Sequence, residues 1–392
     1  MGLTGAGTVV VAVVLLAAVG AATALAWNRL RRGWAWPARV GLLLVGDVAA
    51  VVVVALLLND SFVFYGSWTD LWGGHSTVGH TATPPGSEDA ALHAGLAAAA
   101  VSGHGLVVSF RVPGVRSHLV TGQTGLVYLP PQYGDPAWAA VRFPVVELLD
   151  GFPGSPQTWT RVLHVEDVLD TEISDHEMSP SIVVLPVQNV ADPRDTECAN
   201  VAGGPQVDTY LTFDVRTAVT TAFRASTVPE DWAVAGYSTG GYCAAVMSAR
   251  HPEMFGAAAS IEGYNDAAHD HTTGDLFGHD TDLADRADMI WWMHHKPSSP
   301  VPLLAFSSRQ DLQSYHDDRV LDAEAAAVGW PLWQVELPAG GHNPGTFGAE
   351  LPVALGWISH RSGNALAPVP TVDGLSPTLV TTRPRRRPEP AR

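Results

Sequence analysis

The sequence predicts an α/β protein, a mostly parallel sheet with helices on both faces, preceded by two transmembrane helices. Three observations predict it. Beyond residue 105, short apolar runs alternate with segments of helical length. Glycine-rich turns bearing Ser, Asp or His fall just after those runs, where open α/β sheets carry their sites. Two long apolar stretches come before all of this.

The first stretch, Thr8–Trp27 (TVVVAVVLLAAVGAATALAW), has no charge and is long enough to span a bilayer. A cleaved signal peptide is the alternative, but no positive charge precedes the run and the run is long for that role. The second, Val40–Leu58, carries one acid, Asp47. A buried acid costs about 2.5–3.5 kcal/mol at a helix centre, which the surrounding Val and Leu offset. Between them lie Arg29, Arg31, Arg32 and Arg39 with no acid, so this loop is read as cytoplasmic and everything after Leu58 as extracytoplasmic. The expected division is a two-helix anchor over 1–58, a juxtamembrane aromatic segment and linker over 59–104, the α/β domain over 105–365, and a disordered Pro/Arg-rich tail over 366–392. Phe62, Phe64, Tyr65, Trp68 and Trp72 suit a headgroup layer, and a short helix is expected at Ala90–Val101.

Composition narrows the function. The formal net charge is −17 although the membrane loop and tail are basic. The acidity therefore sits on the domain between them, which argues against nucleic acid as a partner. The two cysteines, Cys198 and Cys243, can pair in an oxidising compartment. A bridge of this span contributes about 3–4 kcal/mol; two free thiols are the alternative.

The strands follow in order. Leu106–Val112 and Gly125–Leu129 alternate apolar and polar residues and read as antiparallel edge strands. Pro144–Leu149, Ser181–Pro186, Trp232–Gly236, Pro302–Ser307 and the run LWQVEL read as buried parallel strands. The turn after the fifth strand, Gly236-Tyr237-Ser238-Thr239-Gly240, has strand before it and helix after it, as a nucleophile elbow requires. The pentapeptide is weak alone. Its weight comes from the other strand ends, where "SRQDLQSYHDD" supplies Asp311 and "PAGGHNPGTF" supplies His342, completing the order Ser…Asp…His.

Those types suit acyl chemistry. A serine hydroxyl is a poor nucleophile until a base removes its proton, which is the role expected of His342. Asp311 would hold the far ring nitrogen and stabilise the imidazolium, with Asp317 and Asp318 as alternatives after the same strand. The oxyanion hole is expected from the N–H groups of Thr239 and Phe152, the latter in "DGFPGSPQTW". Asp150 in that loop is expected to be a structural hydrogen-bonding residue.

From about Gly105 to His360 the chain resembles the esterase family that includes esterase D and the secreted mycolyltransferases. "ELLDGFPGSPQTW" is similar to the oxyanion-loop segment of the mycolyltransferases, and "QVDTYLTFDV" to their segment before the nucleophile strand. "GYSTGGYCA" and "GGHN" cover nucleophile and base. The resemblance implies an α/β-hydrolase fold and either acyl-ester hydrolysis or acyl transfer to a sugar. Residue 311 is Asp where the mycolyltransferases use Glu, and the two membrane helices lie outside the resemblance.

The reading is thus a membrane-anchored, extracytoplasmic serine esterase acting on acyl-ester or acyl-sugar substrates, with no cofactor and no metal. Its rivals are an acyltransferase onto envelope sugars, a serine peptidase of the same fold, and a catalytically silent envelope-binding protein. Ile261–Ser299 is expected to cover the site. Its His269, His271 and His279 read as a polar insertion rather than a metal set. Trp291 and Trp292 fit an acyl groove or the core equally.

Overall fold

The computed structural model describes residues 6–27, 35–62, 87–119, 122–295, 300–361 and 378–380. The chain divides into two compact units, residues 1–83 and 84–392.

The first unit holds α1 (Ala6–Trp27) and α2 (Ala35–Phe62), which pack on each other. Within them, Gly7–Trp27 and Trp36–Leu57 are long and apolar enough to cross a membrane, with hydropathies of 2.7 and 2.8. Val14, Leu15, Val48 and Val51 are exposed. Arg39 joins the two helix ends, donating from Nη2 to the Trp27 carbonyl at 2.9 Å with its guanidinium over the Trp27 ring. Residues 28–34, with three of the four loop arginines, and the aromatic stretch beyond Phe62 lie outside the described residues.

The second unit begins with α3 (Ser87–Ser102), a turn longer than Ala90–Val101. Its sheet contains β1 (Leu106–Val112), β2 (Gln123–Leu129), β3 (Val145–Leu149), β4 (Ile182–Leu185), β5 (Trp232–Tyr237), β6 (Ala257–Ile261), β7 (Leu303–Ser308), β8 (Leu332–Leu337) and β9 (Thr378–Val380). The spatial order is β1-β2-β4-β3-β5-β6-β7-β8-β9. Strands β3 to β8 run parallel, while β1, β2 and β9 are antiparallel. Three residues of the stretch read as a disordered tail, Thr378–Val380, therefore pair with the edge strand β8; the remainder of 366–392 lies outside the described residues.

Alternation along the strands explains the layers. Val145, Val184, Trp232 and Val234 face one core with Cys243, Val246 and Met247 of α8 (Thr239–Arg250). Their chain neighbours Val146, Val183, Ala233 and Ala235 face a second core. There they meet Leu169 and Ile173 of α5 (Val165–Ser174) and Leu351, Leu355 and Ile358 of α12 (Pro344–Arg361). Both faces being covered, every residue of β3 and β5 is buried, which is why these strands read as unbroken apolar runs. Fully burying each large aliphatic side chain contributes about 1.5–3 kcal/mol.

The remaining helices are α4 (Pro156–Arg161), α6 (Val207–Thr209), α7 (Arg216–Ala222), α9 (Thr281–Asp285), α10 (Met289–His295) and α11 (Leu312–Val328). A π-helical stretch, Tyr210–Val215, joins α6 to α7. At the start of β1, Asp170 of α5 accepts from Gly105 N–H and from Tyr128 Oη–H, both at 2.7 Å, and lies 3.0 Å from His104 Nδ1. The fold is that of an α/β-hydrolase.

Candidate active site

One residue separates β5 from α8, and the chain must reverse within it. Ser238 does so at φ 56° and ψ −125°. For a non-glycine residue such a conformation costs about 1–3 kcal/mol and persists only where its surroundings enforce it. Two glycines allow the enforcement. A Cβ on Gly240 would stand 2.1 Å from the Leu149 carbonyl oxygen, and one on Gly236 would stand 2.3 Å from that of Gly240. Strand β3, strand β5 and helix α8 thus meet backbone to backbone, and Ser238 N–H donates to the Ile261 carbonyl at 2.9 Å.

His342 lies on the loop between β8 and α12. Its Nε2 is 2.7 Å from Ser238 Oγ, and its Nδ1 is 2.6 Å from Asp311 Oδ2. An ionised carboxylate only accepts, so Asp311 fixes the proton on Nδ1 and leaves Nε2 free to accept the serine hydroxyl. The loop is held on both sides: Gly341 N–H donates to Thr346 Oγ1 at 3.1 Å and Gly340 N–H to Gln310 Oε1 at 3.2 Å. Phe347 meets the imidazole edge-on at 5.1 Å.

Asp311 caps α11, accepting from Ser314 N–H at 3.5 Å. Burial alone would raise its pKa, but hydrogen bonds from His342, Glu262 and Ser314 hold it well below the usual carboxylate range. Of the two alternatives, Asp318 is buried and accepts from Ser307 Oγ at 2.8 Å, while the Asp317 carbonyl takes the Asn265 amide.

Phe152 and Thr239 line the same cavity of about 470 Å³ as Ser238, Asp311 and His342. Thr239 opens α8, where the first N–H groups have no acceptor within the helix and the dipole favours negative charge. The Phe152 loop is fixed by Asn189, whose Nδ2 donates to the carbonyls of Gly151 at 3.1 Å and Gly154 at 3.0 Å. Asp150 is buried beneath the loop, where burial pushes its pKa to about 8 against a hydrogen bond from its own backbone N–H.

Cys198 and Cys243 are joined, with Cα atoms 5.9 Å apart. The bridge fastens the loop carrying Asp195 and Glu197 to α8, one turn beyond Thr239. Sequence reasoning did not anticipate the network built there. Tyr264 Oη–H donates to Glu197 Oε2 at 2.6 Å and lies 3.1 Å from Thr239 Oγ1, which is 3.3 Å from Asp195 Oδ2. Burial raises Asp195 to about 6 and Glu197 to about 8, the latter reinforced by the charge of Asp195. Glu262, immediately after β6, was also missed. It is fully buried beside Asp311, and burial together with that neighbouring charge pushes it to about 8.

From Ile261–Ser299, the residues Glu262, Gly263, Tyr264, Ala268, Asp270 and Thr272 line the cavity. His269 packs edge-on to Phe277. Trp292 is buried in the core with its Nε1–H on the Arg286 carbonyl, and Trp291 stacks on His295, so neither lines the cavity. Glu262, Asp311 and His342 are close enough to share an ion, but the latter two are already hydrogen-bonded to each other.

A family model described as a putative esterase matches residues 119–358, more than half of the chain. The chain belongs to this esterase family. The chain is 24% identical to an uncharacterized protein of Corynebacterium glutamicum over 246 residues, covering 60% of this chain and 57% of that one. It thus spans little more than half the length of that curated relative. Among solved structures, a ferulic acid esterase shares the fold at TM-score 0.58 and 18% identity, over 66% of this chain and 99% of its own. A fluorophosphonate-binding serine hydrolase of Staphylococcus aureus does so at 0.55 and 17%, over 65% and 99%. An S-formylglutathione hydrolase from Agrobacterium tumefaciens does so at 0.56 and 16%, over 66% and 96%.

Proposed function

We propose that this esterase is anchored in the cell membrane by α1 and α2, with its catalytic domain extracytoplasmic, and cleaves acyl esters through Ser238, His342 and Asp311. The observation that carries the catalytic reading is the unbroken chain Ser238 Oγ–His342–Asp311, at 2.7 and 2.6 Å, opening on one cavity. Ser238 Oγ attacks the ester carbonyl carbon as its proton passes to His342 Nε2, and the carbonyl electron pair moves onto oxygen. The N–H groups of Phe152 and Thr239 receive that oxyanion. Collapse expels the alcohol, which takes the proton from His342. Water then repeats the sequence on the acyl-enzyme and releases the acid. The extracytoplasmic location is supported by the basic residues between the helices and by the disulfide.

One observation favours a second reading, transfer to a hydroxyl-rich acceptor. Asp270, Thr272, Gln313 and Ser314 give the cavity a polar wall suited to a sugar. Supplying sugars at millimolar concentration during ester turnover separates the two. Acyl-sugar forming faster than free acid establishes transfer, and free acid alone establishes hydrolysis.

The catalytic reading is tested with Ser238→Ala on p-nitrophenyl esters of graded chain length. Activity should fall by more than about a thousandfold with the melting temperature nearly unchanged. Retention above that level refutes Ser238 as nucleophile.

A further inference from the structure

Strands β6 and β7 are parallel neighbours, so their carboxyl ends deliver side chains to the same place. Asp311 comes from the second of them and Glu262 directly from the first. Glu262 has a positive φ of 49°, and its N–H is held by the Phe306 carbonyl at 3.0 Å. The first turn of α11 serves both acids: Ser314 N–H donates to Asp311 Oδ1, and Ser314 Oγ donates to Glu262 Oε2. Carboxyl oxygens of Glu262 and Asp311 and a ring nitrogen of His342 all lie within 4.8 Å of one another. The Glu262 side chain is fully buried and lines the cavity.

Two carboxyls this close, one buried and the other half-buried, do not both ionise at neutral pH. We infer that Glu262 and Asp311 form a carboxyl pair carrying a single negative charge, in which Glu262 is a second positioning residue for His342. The inference rests on the catalytic reading above. In the resting protein the charge sits on Asp311, which has the imidazole N–H, and Glu262 keeps its proton. The remaining groups around Glu262 reinforce this assignment. Glu350 of α12 is a buried acid raised well above the usual carboxyl range by burial and by the charges of Glu262, Asp318 and Asp311, Asp318 of α11 is likewise buried and raised, and the Ser314 hydroxyl on Glu262 Oε2 is neutral. Neutralising Asp311 removes the repulsion, so Glu262 can ionise and orient the imidazole in its place.

The test measures kcat/KM for p-nitrophenyl acetate between pH 5.5 and 9.5 in full-length Asp311→Asn, Glu262→Gln and the double variant, with Ser238→Ala alongside. Asp311→Asn in the native background should lose about 10–100-fold and regain activity as pH rises through the ionisation of Glu262. The same substitution in the Glu262→Gln background should lose about 10⁴-fold, the usual cost of neutralising a lone triad acid, with no alkaline recovery. Equal losses in both backgrounds, or identical pH profiles, overturn the pair. Survival of activity in Ser238→Ala overturns the parent reading instead, and the pair with it. If Glu262→Gln does not fold, Ser314→Ala replaces it. Losing the hydroxyl on Oε2 should move the alkaline recovery of Asp311→Asn to higher pH, and an unmoved profile overturns the inference.

Discussion

Gly240→Ala replaces a hydrogen by a methyl group, a net gain of one carbon and two hydrogens, where two backbones pass in close contact. The new Cβ would lie 2.1 Å from the Leu149 carbonyl oxygen, 2.5 Å from the Leu149 carbonyl carbon and 2.6 Å from the Asp150 oxygen. All three are backbone atoms, so no side chain can swing away. A carbon–oxygen contact relaxes at about 3.3 Å, which requires α8 and the end of β3 to part by about 1 Å. Overpacking of this kind costs about 1–3 kcal/mol, or a few degrees of melting temperature in a domain this size. Activity suffers more. The parting elements carry the two N–H groups proposed to receive the oxyanion, Phe152 just beyond β3 and Thr239 at the start of α8, and a misplacement of about 1 Å at reacting atoms costs about 10²-fold. The assay pairs kcat/KM on a p-nitrophenyl ester with calorimetry. Gly348→Ala in α12 is the control: its nearest neighbour is Leu163 Cδ2 at 3.8 Å, an ordinary contact. Replacing that helical glycine should stabilise by about 0.5–1 kcal/mol and leave turnover alone. Native kcat/KM in Gly240→Ala would refute the close-packed elbow.

Acid should stabilise the domain. Burial raises Asp150, Glu197 and Glu262 to about 8 and Asp195 to about 6, so the folded state binds more protons than the unfolded one. Their contribution is complete below the ordinary carboxyl range and lost as pH rises through about 6 to 8; the melting temperature should therefore be higher at pH 5.5 than at 8.5, and a flat or rising trend contradicts the assignment. Asp311 works in the opposite sense, its contribution fading as pH falls below about 4. Replacing Cys198 and Cys243 by Ser opens a loop with a sequence separation of 45 and should cost about 4 kcal/mol by chain entropy. Urea unfolding measures it, and an unchanged midpoint dismisses the bridge as a stabiliser. Reporter fusions should place residues 29–39 in the cytoplasm and Gly105 outside; a cytoplasmic signal beyond Gly105 defeats the proposed location.

What could be read from residues alone follows a physical division. Strands β3, β5 and β7 stood out because burial on both faces makes them continuous apolar runs with turns after them. Ser238, Asp311 and His342 stood out because each type occurs at a strand end in an order with chemical meaning, and the structure brings the three within hydrogen-bond distance. Glu262 did not. A lone Glu in "SIEGYN" has no spacing partner, and only the register of β6 against β7 sets it beside Asp311. Asp195, Glu197 and Tyr264 were hidden for the same reason. They come from two loops far apart in sequence, gathered by contacts that no local pattern announces. Strand β9 escaped notice because three residues in a Pro-rich stretch carry too short a signal for any periodicity.

The knot of bonds at Asp170 has a practical implication. It grips the chain at Gly105, where Leu106 pairs with Leu129, while Ser238, Asp311 and His342 project from the opposite ends of their strands. The entry of the chain into β1 is therefore held at the pole of the sheet away from those three residues. A surface attached on that side of the domain leaves the cavity open to solvent, which gives an experimenter a place to immobilise it.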